Sequence, residues 1–133
     1  MGTQTAIVKK IRRKRADYVL ALKGNQGSLL EDVREYFSDE KLLEKCAYKQ
    51  KVEKARGKIE KREYWQTEDI SWLSQKKEWA GLKSIIQTRN TIKEADGKET
   101  VEERYFISSL PTDIEEAERA VRGHWMVESY HWH

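Results

Sequence analysis

An α/β fold with a β-rich middle is predicted by three features of the sequence. The run Tyr18 to Leu22 is continuously apolar and is bounded by Asp17 and by Lys23-Gly24-Asn25-Gln26-Gly27, as suits a strand buried on both faces. It stands between two segments of helical periodicity, and helix, buried strand, helix is the grammar of an α/β layer. Further along, Leu82 to Thr91 and Thr100 to Ile107 are β-rich and flank Asp96-Gly97, a dipeptide that favours the positive φ values of a tight hairpin turn.

Each element follows in order. From Thr3 to Arg15, Ile7, Val8 and Ile11 recur at helical spacing among Lys9, Lys10, Arg12, Arg13, Lys14 and Arg15, which predicts a short basic helix. After the buried strand, Ser28 and Glu31 form a capping box, and Leu29, Leu30, Val33 and Phe37 continue it as an amphipathic helix. Lys41 to Arg56 is charged, with few apolar residues, and reads as a connecting helix or a loop. Lys58 to Thr67 alternates between an Ile59, Glu63, Trp65 set and a Lys58, Arg62, Tyr64 set, which predicts an exposed strand with aromatics at one end. A short helix is expected around Asp69 to Ser74. Pro111, Thr112 and Glu115 form a second capping box that starts a helix through Arg122 and past Gly123. At 100° per residue, Ile114, Ala117, Val121, Trp125 and Trp132 share one stripe of that helix, and Glu128 lies on it too.

Composition narrows the classes. The chain has 133 residues, enough for one domain with a modest core, and is 38% hydrophobic against 37% charged, with the large groups supplied by five Trp, six Tyr and two Phe. A formal net charge of +3 does not by itself announce a polyanion partner. Cys46 is the sole cysteine, which excludes an internal disulfide and fits a reducing compartment. No apolar run approaches the roughly 20 residues of a membrane span, and no secretory leader is legible, so the expectation is a cytoplasmic protein without a membrane partner. P-loop, CxxC and GxSxG motifs are absent, which removes support from several enzyme classes.

All three histidines fall in the C-terminal segment. His124, Glu128 and His131 have i, i+4, i+7 spacing and would share one side of a continuous helix, as metal ligands or as packing residues beside the tryptophans. Glu128, on an apolar stripe, reads either as a functional carboxylate or as the partner of Arg119, Arg122 or a more distant base. The basic helix, with Lys9, Lys10, Arg12 and Arg13, is either a phosphate-contacting surface or a solvated face. Lys23, Asn25 and Gln26 follow a buried strand, where open α/β sheets place binding loops. Aromatics among charges from Arg62 to Trp65 fit stacking on bases or, more simply, packing.

Five stretches taken together resemble the H-repeat-associated transposases, a family of bacterial insertion-sequence DDE enzymes. They are ADYVLALKGNQ from Ala16, GKIEKREYWQTEDISW from Gly57, WAGLKS from Trp79, RYFISSL from Arg104 and VRGHWMVESYHWH from Val121, in the family's order and spacing. The resemblance covers nearly the whole chain. It implies a partial ribonuclease-H-like core made of the basic helix, buried strand, following helix and late C-terminal helix, with a β-rich insertion. Residues 1–45 are then a core segment, 46–110 the insertion and 111–133 the core helix carrying Glu128.

Family members hold two divalent metals between two aspartates and one glutamate, and Glu128 matches that glutamate. Carboxylate oxygens suit Mg²⁺ or Mn²⁺, and a metal pair can activate the attacking oxygen and stabilise the leaving one at phosphorus. The family's two aspartates fall upstream of Met1, and its helix continues past His133. The resemblance therefore implies an internal slice of a DNA-transposing enzyme that, alone, does not cut or join DNA. The alternative is a remnant that binds DNA or associates with an intact transposase. With a sheet short of its other strands, the isolated chain is expected to self-associate or to be marginally stable.

Overall fold

In a computed structural model the chain is described over residues 18–22, 27–73, 79 and 81–122. The elements are β1 (Val19–Ala21), α1 (Gly27–Ser38), α2 (Glu40–Glu44), β2 (Ala47–Ala55), β3 (Lys58–Thr67), β4 (Ser84–Lys93), β5 (Glu99–Ser108) and α3 (Ile114–Arg122). The strands form one sheet in the order β1-β5-β4-β3-β2, with every pairing antiparallel. Among the described residues no helix is long and apolar enough to cross a membrane.

Strand periodicity distributes the core. On β3, Trp65 points to one face and Tyr64 to the other, and each seeds a separate cluster. On the first face Trp65, Ile85, Tyr105 and Ile107 meet Leu29, Val33, Tyr36 and Phe37 of α1, joined by Ile70, Leu73, Trp79 and Leu82. On the second face Val19, Tyr64, Ile86 and Phe106 meet Ala117 and Val121 of α3. Fully burying a side chain as large as Ile86 or Phe106 contributes about 1.5–3 kcal/mol, so these rows anchor both helices. Both helices cover the same end of the sheet. The other end, from Gln50 through the β2–β3 turn and from Glu99 to Arg104 on β5, is exposed.

Several expectations are corrected. The Tyr18–Leu22 run is not short of a sheet, because Val19 pairs with Ser108, Leu20 with Ile107 and Ala21 with Phe106 on β5. Tyr18 N–H donates to Ser109 Oγ at 2.8 Å, and Ser108 Oγ donates to Tyr18 O at 3.0 Å, so the strand is pinned at its start. The charged stretch from Lys41 contains a short helix and a full strand. α2 is capped by Asp39, whose carboxylate accepts from Lys41 and Leu42 N–H, and β2 holds its place by pairing with β3 along its whole length. β3 is an interior strand, exposed only in its first half. No helix forms at Asp69–Leu73, where Leu73 N–H closes a turn on Ile70 O at 3.0 Å.

The helix starts also move by a residue. α1 begins at Gly27, so Ser28 lies inside its first turn. α3 is capped by Asp113, whose Oδ1 accepts from Glu116 N–H at 3.2 Å, while Thr112 N–H goes to Glu68. The two hairpins also differ from expectation. Arg56 and Gly57, with φ of 52° and 76°, form the two-residue turn, whereas Ala95-Asp96-Gly97 is a three-residue loop in which Gly97 alone has positive φ. The expected basic helix lies outside the described residues.

Candidate nucleic-acid interface

The α3 face of the sheet carries a groove of about 410 Å³ where the C-terminal end of α3 overhangs β3, β4 and β5. Register builds it. Arg62 stands opposite Asn90, which stands opposite Glu102; one step nearer the core, Tyr64, Thr88 and Arg104 form the next row. Phe106 and Val121 close the apolar back, and Arg122, the last residue of α3, completes the rim. Four arginines line the cleft; the Arg89 guanidinium lies over Trp65 and pairs with Glu103 on the opposite face, which leaves those of Arg62, Arg104 and Arg122, from three different elements, to border it.

Their surroundings set what the cleft can do. Arg62 Nη2 donates to Glu60 Oε1 at 2.9 Å, and Glu53 lies 3.6 Å from Nη1, which holds the side chain over the strand surface at 25% exposure. Arg104 Nε donates to Glu102 Oε1 at 2.6 Å. Arg122 forms no ion pair among the described residues. The Tyr64 phenol is held above its ordinary pKa chiefly by burial and then by the charge of Glu118, against the opposing pull of Arg62 and Arg122. Asn90 Oδ1 is enclosed without a hydrogen-bonding partner among the described residues. The cleft therefore offers planar, multiply donating cations with carboxylates behind them, a chemistry that grips anions bidentately and positions rather than reads a sequence.

α3 is held over this surface by polar ties along the first half of its length. Lys49 Nζ on β2 donates to Glu118 Oε1 at 2.8 Å and also to Glu115, and these bonds, Glu115 first, raise the pKa of the ammonium. At the helix start the buried Gln66 accepts from Asp113 N–H at 2.9 Å.

Glu128, Lys9, Lys10, Arg12, Arg13, Lys23, Asn25 and Gln26, together with His124 and His131, lie outside the described residues. Among the described residues no group of three or more His, Cys, Asp or Glu side chains is arranged to hold a metal ion. Tyr64 and Trp65 are only 3% and 7% exposed, which settles their role as packing rather than base stacking. Arg62, Arg104 and Arg122 were missed as a group because the segments that bring them together are far apart in sequence. Alternation on β3 placed Arg62 with Tyr64, and that was the one available signal.

No family model matches the chain, and no solved structure matches it. It is similar to putative transposase YncI of Escherichia coli O157:H7, 35% identical over 99% of this chain and 35% of that protein. It is likewise 34% identical to the H repeat-associated putative transposase YhhI of Escherichia coli strain K12, over 99% of this chain and 36% of the relative. An uncharacterised protein encoded in the dhlA 3′ region of Xanthobacter autotrophicus is 38% identical over 85% of the chain and 38% of its own length. The chain thus spans roughly a third of the curated relatives it matches.

Proposed function

Because the chain belongs to the H repeat-associated transposase family, we propose that it is a segment of a DNA-transposing protein and that its arginine-lined cleft binds phosphates of the DNA backbone. The observation that carries the second part is the convergence of Arg62, Arg104 and Arg122 on one groove beside Asn90. Arginine suits phosphate because its planar fork makes two parallel charge-assisted bonds, and such bonds fix register on a duplex without reading bases. The carboxylates behind Arg62 and Arg104 keep the guanidinium planes oriented at the cost of some positive potential.

Catalysis in the whole protein rests, in this proposal, on a ribonuclease-H-like core of the DDE type. Glu128 is its glutamate, a carboxylate whose hard oxygens suit Mg²⁺ or Mn²⁺. The basic residues Lys9, Lys10, Arg12 and Arg13 and the Lys23, Asn25, Gln26 loop extend the DNA-binding surface. The chain by itself binds DNA and does not cleave it.

The test is fluorescence anisotropy of a labelled duplex against the 133-residue chain at a series of salt concentrations. Replacing Arg62, Arg104 and Arg122 together by Ala is expected to weaken binding equally for unrelated sequences. It should also flatten the plot of log affinity against log salt by about 0.9 for each phosphate that is no longer neutralised. An unchanged slope in a variant with the parent's circular dichroism spectrum would remove the cleft from the proposal.

A further inference from the structure

We propose that two copies of this chain associate through the outer edge of β2, in antiparallel register about Val52, to form one continuous sheet. The proposal starts from position. β2 ends the sheet, and Gln50 to Ala55 are exposed on that edge. In the β2–β3 hairpin a two-residue turn makes Ala55 and Lys58 a closing pair that exchanges backbone bonds. Alternation then directs the N–H and C=O groups of Lys51, Glu53 and Ala55 toward β3, and those of Gln50, Val52 and Lys54 outward. An open edge of this length is a template for another strand.

Lysines on an edge strand ordinarily discourage such pairing. Here the sequence answers its own charge. With Val52 on the two-fold axis, Lys51 of each copy stands opposite Glu53 of the other, Gln50 stands opposite Lys54, and Lys49 stands opposite Ala55. Moving the axis to Lys51 sets Lys51 against Lys51, and moving it to Glu53 sets Glu53 against Glu53. Registers that pair an outward residue with an inward one fail on hydrogen bonding. The Val52 axis is the arrangement of this edge that matches both backbone direction and charge.

Side-chain exposure agrees with it. Lys51 and Glu53 lie 3.8 Å apart within one copy at 46% and 50% exposure, with Arg62 3.6 Å from the same Glu53 oxygen, so both ends of these long, half-exposed ion pairs can be reached from across the axis. They sit at the non-hydrogen-bonded positions of the new pair, where opposing side chains come closest. On the opposite face Val52, 46% exposed, meets its symmetry mate, with Ile59, 40% exposed, diagonal to it on β3. The interface is isologous and closed, which ends assembly at two copies.

Sedimentation equilibrium of the chain at low salt is expected to give a mass rising with concentration toward twice 15.8 kDa. Lys51→Glu and Glu53→Lys should each weaken the dimer by at least about tenfold, because both cross-axis pairs become like-charged. Mixed together, these two single variants should dimerise again, since the first carries Glu at both positions and the second carries Lys at both, so each cross-axis pair of the mixed dimer sets Glu against Lys. Val52→Pro removes an outward N–H while leaving the bonds to β3, and should give a monomer whose circular dichroism and thermal midpoint stay near the parent's. A parent chain that stays monomeric overturns the proposal. So does a dimer that survives Val52→Pro, or a pair of folded single variants that fail to recombine.

Discussion

Gln66 is the residue through which the sheet positions α3, and Gln66→Leu isolates that role. Its side chain is fully buried and makes three bonds: Nε2 donates to Ser84 Oγ at 3.0 Å and to Pro111 O at 3.2 Å, and Oε1 accepts from Asp113 N–H at 2.9 Å. Leucine fills similar volume and keeps the packing, so the loss is almost entirely polar. Ser84 Oγ retains its own bond to Leu110 O at 2.7 Å and loses only an incoming donor. Pro111 O and Asp113 N–H lose their partner outright. Leaving a buried polar group unmade costs about 1–3 kcal/mol, and both groups adjoin the exposed turn at Pro111 and Thr112, where water can approach. The lower end applies to each, for a total of about 2–3 kcal/mol. Against a whole-domain stability of about 5–15 kcal/mol this is a large fraction. Urea unfolding followed by tryptophan fluorescence should report it as a lower midpoint at unchanged slope. Hydrogen exchange should show protection lost first across Ile114–Arg122. A loss under about 0.5 kcal/mol, the scale of an inert surface change, would refute the argument. So would a loss of protection spread evenly over α1 and α3.

Two further outcomes follow from local geometry. Arg56 is the sole non-glycine residue of positive φ among those described, at 52°, in a turn whose type favours Asn-Gly. Arg56→Asn should therefore stabilise the chain by about 0.5–1 kcal/mol, measured as a raised urea midpoint, and a lowered midpoint would contradict the turn assignment. The Cys46 thiol, whose Sγ donates to Leu42 O at 3.4 Å, is pushed up from 9.0 to about 11, first by burial and then by the charge of Asp69. Because the folded value is the higher one, the stability this confers is present below the unfolded pKa and is lost as pH rises toward 11. Thiolate is then roughly 100-fold scarcer at about pH 8 than in the unfolded chain, and alkylation by iodoacetamide should slow to match, recovering in urea. Equal native and unfolded rates would exclude that environment.

Much of the sheet was legible because its signals are local. Alternation over Lys58–Thr67 marked β3 and sorted its residues onto the correct faces, and the β-rich segments around Asp96-Gly97 marked the β4–β5 hairpin. The apolar stripe Ile114, Ala117, Val121 marked the buried side of α3. What escaped notice depended on distant partners. AYKQKVEKA is rich in lysine and poor in strand formers and becomes β2 through pairing with β3, so propensity alone could not find it. Arg56 hid the tight turn because arginine seldom takes positive φ, while Asp96-Gly97 advertised one that takes a longer form. The attachment of β1 to β5 was invisible for a topological reason. The two strands are brought together only after the intervening elements have folded back on themselves.

One register decides both the core and the candidate interface. Trp65 must face α1 and Tyr64 must face α3 for either cluster to close, and the same two-residue period puts Arg62 on the α3 side opposite Asn90. A slip of one residue in β3 would carry Arg62 to the far face and drive Glu63 into the cluster around α3, where an unpaired charge is heavily penalised. The burial of Tyr64 and Ile86 therefore specifies where the guanidinium of Arg62 emerges, and the pairing of Thr88 with Arg104 specifies the other strand of the cleft. Variants that change the side chain at 62, 104 or 122 without touching this row consequently report on the chemistry of the groove alone. Variants at 64, 86 or 106 move the arginines and the helix together. Losses of DNA affinity at the first set, in chains that unfold at the parent's midpoint, belong to the cleft; losses at the second set that track the midpoint belong to the fold.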